Sequence, residues 1–269
     1  MSGAVFLEQL RRTWRGSLLW SLVVAGMGLY IVLLIPDSKL LKQYGDLLSS
    51  MPPFIINLAG GSGADAAFIA TPQGFLAFGF FGSIMLVLSL YAVLAGLNIT
   101  ANDEDRGIMD VVLSLPLPRW RVVLEKFLAY SVSLIFILGI SFVAIWLGIR
   151  SVSIFQISTV RLLEASVNII PSTLLVMAFT AFVGSMVRRK NTAAAIAATF
   201  VAGSYFIDVI GLTAQVADPL RALSYFNYYD ATGVMRAGLV PANVFGLLTV
   251  AVLMVAGAIW AFQYRDIGV

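Results

Sequence analysis

An all-α, polytopic membrane protein with six transmembrane helices is the fold the sequence predicts, and three observations predict it. Charged residues make up only 12% of the chain and apolar residues 60%, with a mean hydropathy of +0.94. A water-soluble domain carries roughly 25% charged residues, because its surface must be solvated, so lipid has to cover much of this one. Six stretches are apolar enough to cross a hydrocarbon core, which takes about 20 residues of helix. No soluble domain fits between them, so residues 1–269 read as a single transmembrane domain.

The first stretch, near 17–35, follows Arg11, Arg12 and Arg15. Basic residues ahead of an apolar run also mark a secretory signal. A signal's apolar region, however, is about 7–15 residues long and ends at a small-residue cleavage site. This run is longer and has no clear site, so it reads as an uncleaved first span behind an N-terminal segment, 1–16. The others lie near 74–97, 127–149, 168–187, 192–213 and 242–262. Between the fourth and fifth stand only Arg188, Arg189, Lys190 and Asn191, which predicts a tight helical hairpin.

Two connections are not simple polar loops. Residues 36–73 contain Pro52, Pro53, Phe54 and the run Gly60, Gly61, Ser62, Gly63; residues 214–241 contain Tyr225, Phe226, Tyr228 and Tyr229. Short interfacial or re-entrant helices are expected there. The alternative is an ordinary loop whose aromatic rings anchor it among lipid headgroups.

Lys and Arg accumulate on the cytoplasmic side of membrane proteins. The N-terminal arginines, Arg106, Arg119, Arg121, Lys126, the 188–190 cluster and Arg265 would share one side. The other would hold the sparser Lys39, Lys42, Arg150, Arg161, Arg221 and Arg236. Both termini are therefore expected in the cytoplasm.

The chain has no cysteine and no histidine. Disulfides, thiolate nucleophiles, imidazole bases and the usual transition-metal ligands are excluded with them. A net charge of +3 gives no nucleic-acid footprint. Phosphate binding by a P-loop needs G-x-x-x-x-G-K-[ST], and nothing here matches. No catalytic, cofactor or metal site is expected in this chain.

The most informative segment is the connection 98–126. Asn102 can cap a helix, with Asp103, Glu104 and Asp105 at its positive dipole end. That helix should stop before Pro116 and Pro118. At 1.5 Å per residue it reaches about 20 Å, too short to cross a membrane. Arg106, Asp110 and Ser114 form one polar stripe on an otherwise apolar helix, suited to the membrane face or a partner's groove. A plain interfacial helix is the bland reading.

Inside the spans, Asp208 is the carboxylate placed deepest, lining a translocation path or simply hydrated near the outer end. Asn98 and Asn168 fall near span ends. Ala194, Ala198 and Ala202, with Gly203 beside them, allow close helix packing, within the chain or in a dimer.

Glu104, Asp105, Arg106 and Gly107, followed by Asp110, Leu113, Pro116, Arg119 and Lys126, resemble a signature of type-2 ATP-binding-cassette (ABC) transporter permeases. That family's loop between its second and third spans reads roughly E-x-x-G-T-x-E-x-L-L-x-x-P-x-S-R, with a lysine shortly before the third span. The likeness extends to the six-span layout, the basic N-terminal segment and the closing Tyr264, Arg265, Asp266. Ile108, Pro118 and Glu125 depart from it, standing where the family usually has threonine, serine and glycine.

The resemblance implies a transmembrane permease subunit, working as an exporter in a dimer with a second permease subunit, homo- or heterodimeric. A separate ABC ATPase subunit would carry the ATP and magnesium. The loop would form a coupling helix seated on that ATPase, with Glu104, Arg106, Gly107 and Asp110 as its contacts. Arg188, Arg189 and Lys190 would be a second cytoplasmic contact, or a topology determinant beside lipid phosphates. The expected location is a bacterial plasma membrane. An ion-driven secondary transporter is the runner-up, weakened because only Asp208 is available to couple an ion; a membrane anchor or sensor is the third reading.

Overall fold

The computed structural model describes residues 3–35, 37–61, 66–102, 118–152, 154–187 and 189–264, and among these there is no strand. Six helices are long and apolar enough to cross a membrane: Ala4–Leu34, Pro72–Ile99, Arg119–Ser151, Thr159–Met186, Lys190–Thr213 and Pro241–Tyr264. The second and fourth spans form the centre, each 72% buried over its apolar window, against 22–44% for the other four. Lipid or a partner must cover the rest.

Three spans begin earlier than hydropathy predicts. Residues 4–16, expected as a segment ahead of the first span, are the first turns of the same helix. Tertiary contact explains this: the Glu125 carboxylate accepts from the Gly3 and Phe6 N–H groups at 3.2 and 3.1 Å. Those amides have no partner within their own helix, and a negative charge suits that end of its dipole. Gln9 also donates to the Tyr130 hydroxyl at 3.0 Å. The third span begins at Arg119, immediately after Pro118. The fourth begins at Thr159, its first turns carrying the ion pair Arg161–Glu164 at 2.8 Å. Asn168 is consequently not at a span end. It is buried inside the fourth span and donates to the Tyr229 carbonyl.

Short helices fill both unusual connections, as expected. The first holds Ser38–Ser49, Pro53–Ile56, a π turn at Asn57–Gly61 and Ala66–Ile69. Gly60, at φ 99°, takes the left-handed conformation that disfavours any side chain. Its backbone presses directly on Gly82 of the second span: a Cβ on Gly82 would lie 2.2 Å from the Gly60 carbonyl oxygen. The Gly61 carbonyl accepts from Thr232 at 3.1 Å. The second span is itself interrupted by a π turn at Ala77–Phe81.

The connection between the fifth and sixth spans runs through Gln215–Leu223, Tyr225–Tyr229 and Ala231–Ala237. Tyr225, Phe226 and Tyr229 are 3%, 8% and 2% exposed, so they are core residues and not headgroup anchors. The hydrogen bonds of the two tyrosine hydroxyls explain how those polar rings tolerate that burial. Tyr229 donates to the Phe81 carbonyl at 2.7 Å, and Tyr225 meets Ser89 at 2.9 Å. Both bonds tie this connection to the second span.

Candidate coupling site

Everything that brackets the 98–126 connection meets at the end of the bundle opposite those short helices. Glu104, Arg106, Gly107 and Asp110 lie outside the described residues, as does Arg188. The frame that holds them is described on both sides.

The exit from the second span is pressed onto the fourth. A Cβ on Gly96 would come within 2.5 Å of Thr180, and one on Gly184 within 2.6 Å of the Thr100 hydroxyl oxygen. Two missing side chains let the helices touch along these turns. Thr100 then donates to the Ala181 carbonyl at 3.4 Å.

Asn102 was expected only as a cap. Its Oδ1 accepts from the Lys190 ammonium at 2.7 Å, tying the start of the connection to the first residue of the fifth span. Lys190 thus faces the base of the connection, while Arg189 is exposed. The hairpin is as tight as the sequence predicts: only residues 187–189 separate the fourth and fifth helices.

On the return side, Lys126 stands within the third span, 3% exposed, and donates to the Ile99 carbonyl at 3.3 Å. Ile99 ends the second span, so its carbonyl lacks a helical partner of its own. A buried ammonium is costly without such an acceptor. One turn earlier, Arg121 pairs with Glu125 at 3.3 Å, and Glu125 caps the first span as described. Glu125 departs from the family pattern, and the departure has a local use.

Sequence reasoning placed Lys126 in a motif but did not give it this role. The signal available was a lysine at the edge of an apolar helix, which needs an acceptor when buried. Asn102 and Lys190, 88 residues apart, gave no sign of their contact.

Asp208 lies elsewhere, in the fifth span toward the other end. Its carboxylate accepts from Arg221 Nε at 3.1 Å, and Arg221 also reaches Asp218 at 3.3 Å. Gly211 makes room for this arginine: a Cβ there would meet the Arg221 stem at 2.2 Å. Side-chain exposures of 9% for Asp208 and 24% for Arg221 place the pair between the buried and exposed extremes. Removing Asp208 alone should therefore cost about 1–2 kcal/mol, and pairing Asp208→Asn with Arg221→Gln should recover part of that loss. A double-mutant cycle on thermal inactivation in detergent measures it; strict additivity would remove the pair's structural role.

No metal-ligand cluster occurs among the described residues. The sequence model of a family described as ABC-2 family transporter protein matches residues 7–267, nearly the whole chain. No curated protein matches the chain in sequence.

Proposed function

The chain belongs to the ABC-2 transporter family, and on that premise we propose that it is the permease subunit of an exporter, driven by a separate ATPase subunit docked on residues 103–117. The bundle end carrying the N-terminus and that connection faces the cytoplasm in this reading. ATP and magnesium belong to the partner, since the chain has no P-loop.

The observation that carries the proposal is the double attachment of the connection. Lys190 grips its start from the fifth span, and Lys126, in the third span, grips the end of the second. A segment pushed by an ATPase would displace three spans together and would not simply flex. Coupling of this kind needs an element joined rigidly to what it moves.

Of the expected stripe, Ala194 packs against the core, while Ala198 and Ala202, with Ala195, present small side chains outward, where a second copy would fit. Close backbone approach there is the usual basis of helix association in lipid. Six spans are few to enclose a path, and a dimer would build it between copies.

The test replaces Gly107 with leucine and Asp110 with lysine in the full chain. Co-purification of an ATP-hydrolysing subunit should fall at least tenfold, while the chain remains folded in detergent. Unchanged assembly and unchanged ATP hydrolysis in the double variant would remove the coupling assignment. Transport that persists without an ATPase and collapses with an ion gradient would favour the secondary-transporter reading.

A further inference from the structure

A cavity of about 290 Å³ opens between the first three spans, at the bundle end that carries the N-terminus. Arg12 and Asn98 supply its polar rim, with Trp20, Tyr91 and Tyr130 behind them. Neither Arg12 nor Asn98 has a hydrogen-bond or ion-pair partner among the described residues. This cation therefore stands at a preformed concavity with its charge uncommitted. The aromatic wall is fixed: Trp20 and Tyr91 meet edge to face at 5.6 Å, and the Tyr91 hydroxyl donates to the Tyr130 carbonyl at 3.2 Å.

The depth of the cavity suits a lipid headgroup. Asn98 lies in the last turn of the second span, and Arg12 precedes the apolar stretch of the first. Basic pockets between helices at this depth bind anionic headgroups. Leading away from Asn98 along the same helical face, at four-residue spacing, are Leu94, Leu90 and Leu86. They are 46%, 56% and 36% exposed, and Leu94 itself lines the cavity. One surface thus offers a cation and an amide at headgroup level with an apolar track running from them into the bilayer.

We propose that this cavity is a binding site for an anionic phospholipid of the adjacent leaflet, its phosphate on Arg12 and Asn98 and an acyl chain along Leu94, Leu90 and Leu86. The site does not depend on the ATPase: a chain with no partner bound would still hold the lipid.

The experiment uses the intact chain in an uncharged detergent, offered phosphatidylglycerol and phosphatidylcholine with matched acyl chains, with retained lipid counted by native mass spectrometry. Phosphatidylglycerol should be retained preferentially, and Arg12→Gln should weaken its retention on the order of fivefold, the loss of one near-surface cation. Arg11→Gln, one residue away but outside the cavity, should leave retention unchanged. Gly16→Leu supplies a steric test that spares the fold. Gly16 lines the cavity, and a Cβ there would meet nothing within 4 Å, so leucine should block the site without disturbing packing. Equal loss in the Arg11 and Arg12 variants would mean diffuse surface attraction and overturn the site. So would equal retention of the two lipids in the unaltered chain. Glycerophosphate that displaces the lipid at equal concentration would show that the anion alone binds, and would overturn the acyl track.

Discussion

Gly82→Ala should shorten the lifetime of the folded protein in detergent by up to about 100-fold. The added Cβ would sit 2.2 Å from the Gly60 carbonyl oxygen, and the obstructing atom is backbone, not the end of a flexible side chain. Gly60 cannot retreat easily. It holds a left-handed conformation, and the next carbonyl, of Gly61, is tied to Thr232. Overpacking of a rigid site costs about 1–3 kcal/mol, and the upper end applies where backbone must move. If the contact is absent from the unfolding transition state, the whole loss appears as faster unfolding. The half-life at fixed temperature is the proper readout, since unfolded membrane protein aggregates irreversibly. Gly203→Ala is the control: its Cβ would meet nothing within 4 Å, and alanine favours helix by about 1 kcal/mol. Equal lifetimes for the two variants would mean that the Gly60–Gly82 contact does not hold the connection between the first two spans.

The contrast between those two glycines shows what could be read from sequence. Hydropathy located all six spans, because crossing lipid demands a long apolar run whatever the neighbours are. It misplaced the starts of the first, third and fourth spans. Their opening turns carry Gln9, Arg121, Glu125, Arg161 and Glu164, whose helicity rests on partners that a sliding window cannot see. The aromatic cluster 225–229 drew notice as a re-entrant candidate, yet its burial depended on Ser89 and Phe81, distant in the chain. Gly60 stood out in a glycine-rich run, while Gly82 looked like any small residue in a span. The 103–117 segment proposed to meet an ATPase stood out only by its resemblance in order and spacing to a family motif. Its mounting was not legible, because Lys126–Ile99 and Lys190–Asn102 are contacts between different helices.

That mounting leads to the second large effect. On the proposed coupling reading, Lys126→Met should leave the chain able to bind an ATPase subunit but lower the complex's coupled ATP hydrolysis on the order of tenfold. Methionine matches the apolar stem of lysine, so packing around the third span survives. What disappears is the ammonium that satisfies the Ile99 carbonyl, and a buried acceptor left unpaired costs about 1–3 kcal/mol. The strain falls where the second span hands over to residues 103–117, so it loosens the joint and not the docking surface. Lys190→Met, which breaks the part-buried bond to Asn102, should act in the same direction with a smaller effect, about threefold. Assembly is read by co-purification and coupling by hydrolysis in the complex relative to the free ATPase subunit. Docking variants at Gly107 and Asp110 should lose both quantities, whereas mounting variants should lose only the second. A Lys126→Met protein that hydrolyses ATP normally in the complex would mean that the joint transmits nothing. One that fails to assemble would place Lys126 among the docking determinants instead.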